Sequence, residues 1–275
     1  YIIIMGDIMK KILIYIFLGI VQGLTEPLPI SSSGHVFILK KLFGITSTDL
    51  NFEIIVNFGS LLAILLIYKN DLIRLIKNFF LYFKVKNEET KTDFKYAWYI
   101  VLGSIPVGIV GLLFKDTIES KLNNIKIIGV AFLITSLFLL LVSNIRGKRK
   151  EEKMNIIDAL VIGLTQVIAL IPGISRSGST LIGGLFRKLD RETALKYSFM
   201  LYIPVSLGTT LLGIKDLLET KGVHELVLPY GLGFISSFIV SYYTLRWFIS
   251  IVKKGNLKYF SIYTLLLGLL ILIFM

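Results

Sequence analysis

Twice in this chain a long apolar run is interrupted by the same kind of segment, GIVQGLTEPLPISSSGH from Gly19 and GLTQVIALIPGISRSGS from Gly163. Aligned without a gap, Gly19, Gln22, Ile30, Ser31, Ser33 and Gly34 match Gly163, Gln166, Ile174, Ser175, Ser177 and Gly178 at a constant offset of 144 residues. Proline removes a backbone donor, so neither segment can run on as an unbroken helix. Each is followed by three long apolar stretches, and the pattern therefore predicts an internal repeat, 11–145 and 156–275, within one integral domain over 1–275.

The surrounding stretches fix the solvent. Ala97 to Phe114, Ile127 to Ile145, Tyr197 to Ile214, Leu226 to Leu245 and Tyr259 to Met275 carry no formal charge, and Phe52 to Tyr68 carries only Glu53. Each approaches the roughly 20 residues that cross a bilayer. A mean hydropathy of +0.77 with 17% charged residues agrees. The expected fold is an all-α polytopic membrane protein with six transmembrane helices and two re-entrant broken-helix hairpins, at about 24–43 and about 170–188. Three crossings separate the hairpins, so the second copy is upside down relative to the first. The first apolar run lacks a small-residue cleavage site and is expected to stay in the protein.

The net charge of +12 raises the question of nucleic acid, but its distribution answers it. Basic residues collect between spans, in Lys69 to Lys95 and in RGKRKEEK at 146–153, which the positive-inside rule assigns to the cytoplasm. They read as topology signals touching anionic lipid, with no nucleic-acid partner.

Non-helical backbone at membrane depth persists only where it is packed in protein or lines a wet cavity. The breaks therefore predict a polar site. Gly34, Gly173 and Gly178 allow backbone N–H groups to turn toward a ligand, serine hydroxyls add donors, and Arg176 adds a positive charge. Glu26, His35 and Arg176 are ionisable groups at membrane depth, which by default mark function; the plain alternative is a structural Glu26–Arg176 ion pair joining the hairpins. Glu53 and Asn57, four apart on one face, are candidates to reach the same cavity. His224, among charged residues, reads as a solvated surface group, and Gly19 with Gly23 as a close-packing GxxxG pair. A carboxylate, hydroxyls, an imidazole, a guanidinium and backbone donors together suit phosphoryl transfer, with Glu26 or His35 as base for a hydroxyl nucleophile.

At these residues the chain resembles the undecaprenyl-diphosphatases, also called undecaprenyl pyrophosphate phosphatases or the bacitracin-resistance family. QGLTEPLPISSSGH is similar to the family's first motif and PGISRSGST to its second, and the likeness continues through FEIIVNFGSLLAIL at 52–65, SIPVGIVGLLF at 104–114 and ALKYSFMLYIPVSLG at 194–208. The resemblance implies hydrolysis of undecaprenyl diphosphate, recycling of the lipid carrier for cell-wall polymers, bacitracin resistance, a multi-pass place in the plasma membrane and an active site facing outward. It implies Mg²⁺ or Ca²⁺ at Glu26, with Gln22 in the first position of the family's Glu/Gln-xxx-Glu pattern. Glu26, Ser32, His35 and Arg176 take the catalytic positions: Arg176 neutralises phosphate, while Ser32 and His35 are nucleophile and proton carrier, in either order. Ser31, Ser33, Gly34, Ser175, Ser177 and Gly178 are expected to bind phosphate. Pro27 stands where the family often has an aromatic. The expected partners are the polyprenyl diphosphate and membrane lipids, with a homodimer among the allowed assemblies.

Other classes stay in view. Phosphatidic-acid-type phosphatases share Ser-Gly-His and Ser-Arg fragments, but Ile182 stands about where they need a second histidine. Inverted repeats with broken helices are also transporter architecture, so a polyprenyl-phosphate flippase is the runner-up. A catalytically dead lipid-binding relative would not need Glu26, Ser32, His35 and Arg176 together.

Overall fold

The structure is a computed structural model and describes residues 2–44, 50–122, 124–219 and 223–275. Among these residues the regular structure is helical, apart from one isolated bridge between Arg149 and Leu189. Helix α1 (Ile2–Thr25) ends where Pro27 and Pro29 withhold backbone donors, and α2 (Ser32–Leu42) starts after Ser31, whose hydroxyl accepts from the Gly34 N–H at 3.3 Å. Ser32 hydrogen-bonds Glu26, just past the end of α1, while Phe43 after α2 meets Phe17 with ring centroids 5.9 Å apart. Helix α2 therefore runs back along α1.

The second break is built alike. Helix α7 (Ile156–Ile168) gives way to α8 (Arg176–Phe186), which Ser175 caps by accepting from Gly178 N–H at 3.1 Å. Gly183 packs on Thr165 and Arg187 reaches Asp158, so α8 runs back along α7. The tips differ in one respect. The left-handed residue of the second tip is Gly173 (φ 94°), whereas in the first it is Ser31 (φ 67°), a conformation that costs a residue with a Cβ.

Between and after the hairpins lie α3 (Leu50–Ile67), α4 (Lys69–Leu81), α5 (Glu88–Lys121) and α6 (Ile125–Val142), then α9 (Arg191–Glu219), α10 (Val223–Lys254) and α11 (Lys258–Phe274). By length and composition, Glu88–Phe114, Ile125–Val142 and Leu226–Lys254 can each cross a bilayer. Leu112, Leu113, Leu211 and Ile273 are exposed on the outside, as lipid-facing positions are.

Contact registers give the directions. Tyr15, Gly19 and Gly23 meet Tyr230, Gly233 and Ser237 in rising order, and Phe52, Val56 and Ser60 meet Tyr230, Ser237 and Ser241, so α1, α3 and α10 are parallel. Tyr96 and Gly103 meet Tyr197 and Leu201, and Gly103 and Gly111 meet Gly163 and Leu170, so α5, α7 and α9 are parallel. Tyr68, Asn57 and Ile54 meet Phe199, Ser206 and Gly213 in falling order, which sets the two groups antiparallel. A Cβ on Gly19 would lie 2.3 Å from the carbonyl oxygen of Gly233, and one on Gly163 2.3 Å from that of Gly103. The same close crossing thus occurs twice, each time between the two halves, and the GxxxG reading of Gly19 and Gly23 holds.

Lys69 to Lys95, read from sequence as a basic loop, contains instead helix α4, bent 72° from α3, and the start of α5. Leu75 and Asn78 face inward, where Asn78 donates to Asp93 at 2.7 Å, and Ile73, Ile76 and Phe80 face out. Ion pairs tie this side together: Lys196 with Asp71 (2.6 Å) and Glu151 (2.8 Å), and fully buried Asp158 with Arg149 (2.6 Å) and Arg187 (2.7 Å).

Gly163→Ala is expected to destabilise the protein by about 1–3 kcal/mol, because backbone on both sides must move. Gly108→Ala, with nothing within 4 Å of the added methyl, is expected to be neutral or stabilising. Thermal unfolding in detergent checks the contrast; equal effects of the two variants would contradict the close crossing.

Candidate active site

The tips of the two hairpins meet. Ser32 opens α2 and Arg176 opens α8, matched positions of the repeat, so the positive ends of two 11-residue helices face a common space. That space is a cavity of about 60 Å³ lined by Glu26, Ser31, Ser32, Ser33, Ser175, Arg176 and Ser177, with Leu28, Ala169 and Ile174 as its apolar wall. A water needs roughly 10–15 Å³ of such space, so the cavity suits a small anion and excludes a lipid tail.

Glu26 organises it. One carboxylate oxygen pairs with Arg176; the other accepts from the Ser32 hydroxyl and, at 2.9 Å, from the Gln22 amide. The Glu26 side chain is 8% exposed and that of Arg176 18%, which puts the pair in a medium where charge must be compensated. Hydroxyls repeat on both sides, with Ser31 and Ser33 3.3 Å apart and Ser175 and Ser177 3.3 Å apart. Ser177 also donates to the Leu28 carbonyl at 2.9 Å, a direct link between the tips.

Other expected residues stand apart from the cavity. His35 turns away: its Nδ1 lies 2.7 Å from the Ser31 carbonyl oxygen, which makes Nδ1 the protonated nitrogen, and Nε2 then accepts from the Tyr263 hydroxyl at 2.6 Å. The N–H groups of Gly34 and Gly178 serve as donors to the capping serines. Gly34 has a steric duty as well, since a Cβ there would lie 2.8 Å from the Phe132 ring. Glu53 pairs with buried Lys40 at 2.7 Å. Asn57 reaches Ser206 and Tyr202. The side chain of His224 lies outside the described residues.

The halves are unequal in chemistry. Leu170 takes in the second hairpin the place Glu26 has in the first, and Gln166, the counterpart of Gln22, is buried without a hydrogen-bond partner among the described residues. One half supplies the acid and the hydroxyl, the other the cation.

Sequence reasoning missed Tyr202 and Tyr263. Tyr202 is buried on α9 with its ring 3.5 Å beneath the Arg176 guanidinium. Its signal was slight: a phenol that needs a polar partner, inside an apolar run.

Among the described residues no three His, Asp or Glu side chains are placed to hold a metal ion by themselves, and Glu26 is the carboxylate that lines the cavity. One carboxylate with neighbouring hydroxyls fits a magnesium-type ion shared with substrate phosphates, which needs only one or two protein carboxylates.

The chain is similar to "Undecaprenyl-diphosphatase 3" of Bacillus anthracis, 48% identical over 96% of this chain and 98% of the relative. It is similar to "Undecaprenyl-diphosphatase" of Oceanobacillus iheyensis, 46% identical over 95% and 96%, and to "Undecaprenyl-diphosphatase 1" of Halalkalibacterium halodurans, 43% identical over 94% of both. The family model described as bacitracin resistance protein BacA matches residues 15–270, which contain both hairpins and every cavity residue, and the chain belongs to that family.

Proposed function

We propose that this chain hydrolyses undecaprenyl diphosphate to undecaprenyl phosphate and inorganic phosphate, returning the lipid carrier to cell-wall polymer synthesis. The observation that carries the reading is the single carboxylate, Glu26, bound to both the Ser32 hydroxyl and Arg176 where two helix N-termini meet. Relatives named undecaprenyl-diphosphatase at 43–48% identity over nearly the whole chain supply the substrate.

A hydroxyl that donates to a carboxylate is an activated nucleophile. Ser32 attacks the terminal phosphorus and passes its proton to Glu26. An Oγ–P bond forms, the anhydride P–O bond breaks, and undecaprenyl phosphate leaves. Glu26 gives that proton to the departing undecaprenyl phosphate, then takes one from the water that attacks the phosphoserine and returns it to Ser32 Oγ as the Oγ–P bond breaks and inorganic phosphate leaves. Arg176 and the hydroxyls of Ser31, Ser33, Ser175 and Ser177 balance charge on the non-bridging oxygens, where positioned donors are worth most. A Mg²⁺ or Ca²⁺ ion, when bound at Glu26 with the Gln22 carbonyl nearby, would add charge neutralisation. His35 as it stands supports the Ser31 turn; a part in proton transfer requires its ring to leave Tyr263.

The diphosphate enters by displacing Glu26 from Arg176. In the resting site that ion pair fills the anion position, so binding exchanges one charge-assisted contact of Arg176 for another; Glu26 keeps its Ser32 and Gln22 donors, and a divalent ion, when bound, would supply its counter-charge.

The proposed membrane arrangement has six crossings and two hairpins that enter from opposite faces. It is supported by the antiparallel sets α1, α3, α10 and α5, α7, α9, and by the backward run of α2 and α8. The site is proposed to open outward. In support, residues 177–185 of α8 are all buried and Leu181, Leu185 and Leu189 seal the basic side in the main core, while Ser33 on α2 is exposed. The inverted halves also favour a flippase as second reading.

Purified protein in detergent with Mg²⁺ is expected to release phosphate from a polyprenyl diphosphate, and Glu26→Ala, Ser32→Ala and Arg176→Ala to lose at least about 100-fold in kcat/KM. No release by well-folded wild type would favour the flippase. Orientation is testable because the chain contains no cysteine. Ser33→Cys is expected to react with an impermeant maleimide in intact cells and Lys150→Cys only after lysis; the reverse pattern would overturn the outward opening.

A further inference from the structure

We infer that Tyr202 and Asn57 form a positioning clamp that holds Arg176 in place while its carboxylate partner is exchanged for phosphate. The inference rests on the phosphatase reading for the identity of the anion, and on geometry for the clamp.

Arg176 has two kinds of neighbour. On one side is the Glu26 carboxylate; on the other the guanidinium carbon lies 3.5 Å from the centroid of the Tyr202 ring, the distance of a stacked cation–π contact. The ring is 2% exposed, so the contact acts where water does not weaken it. Tyr202 is itself fixed. Its hydroxyl donates to Asn57 Oδ1 at 2.6 Å with the Asn57 carbonyl oxygen at 3.1 Å, and Asn57 Nδ2 donates to Ser206 Oγ at 2.9 Å. Ser206 sits one turn beyond Tyr202 on α9 and Asn57 lies on α3, so the clamp is stitched across the antiparallel contact between the two halves.

The exchange gives this arrangement its use. When a diphosphate takes the place of Glu26, the ion pair that located the guanidinium is gone. A long, flexible cation would then have to be ordered at the cost of binding energy. A flat aromatic face keeps it aimed at the cavity without competing for the anion, because a ring offers no charge of its own. The ring is therefore the working part and the phenol oxygen its anchor, which makes Tyr202→Phe the conservative variant and Tyr202→Leu the disruptive one. Asn57→Ala removes the anchor and leaves the ring.

Two readouts separate the clamp from simple packing. In detergent, binding of inorganic pyrophosphate by titration calorimetry is expected to weaken about 10- to 30-fold in Tyr202→Leu, the worth of a desolvated cation–π contact, less than 3-fold in Tyr202→Phe, and by an intermediate factor in Asn57→Ala. With polyprenyl diphosphate the KM of Tyr202→Leu is expected to rise by a similar factor while kcat stays within about 3-fold. In the Arg176→Lys background, where no planar guanidinium can stack, Tyr202→Leu is expected to add less than 3-fold. The inference is overturned if Tyr202→Leu binds pyrophosphate like wild type, if Tyr202→Phe is as damaging as Tyr202→Leu, or if the two substitutions multiply. Should Tyr202→Leu fail to fold, the ordering of wild type, Tyr202→Phe and Asn57→Ala decides, and equal affinity of all three overturns the anchor. Pyrophosphate binding without phosphate release from the lipid would sink the hydrolase reading and leave the clamp standing; a wild type that does not bind pyrophosphate would sink the clamp.

Discussion

A carboxylate and a guanidinium buried in one small cavity set the terms for the rest of this molecule. A charged side chain at the centre of a membrane helix costs about 2.5–3.5 kcal/mol on insertion scales, and more where nothing pairs with it. Glu26 and Arg176 offset that cost only in each other's company. To meet, each must leave a regular helix, which is why both lie beside prolines and capped restarts. The two breaks then have to face one another, and the antiparallel packing of the halves provides that encounter.

The packing rests on small residues because apolar side chains gain nothing by leaving lipid for one another. Gly19 on Gly233 and Gly163 on Gly103 let backbones approach at both crossings between the halves. Serines add short interhelical hydrogen bonds, Ser60 with Ser241 and Ser136 with Ser261. Equivalent scaffolds then carry unequal chemistry: where the first half presents Ser32, the second presents Arg176, and where the first has Glu26, the second has Leu170.

Much of this was written in the sequence, and the reasons it was legible are also the reasons other parts were not. Proline, glycine and serine inside apolar runs leave a signal that needs no partner, so both breaks and the ionisable residues beside them could be read directly. The direction of a ring is different. His35 is turned by a tyrosine 228 residues away, a contact that no local pattern encodes. Tyr202 looked like one more aromatic in a span until α3 brought Asn57 to its hydroxyl. Helix α4 had a usable signal in Leu72, Leu75 and Phe79, but the density of lysine around it favoured a loop reading.

The separation of Glu26 and Arg176 along the chain, 150 residues, has a consequence for synthesis. Ribosomes add about 5–20 residues per second, so the acid emerges roughly 8–30 s before its counter-charge exists. During that interval the first hairpin holds an unpaired carboxylate, and the four helices after it, α3 to α6, cannot close around a finished site. It must wait hydrated or sheltered by the insertion machinery. The arrival of the second hairpin supplies the counter-charge and ends the chain's most exposed moment in the membrane, before α9 and α10 pack around the finished pair.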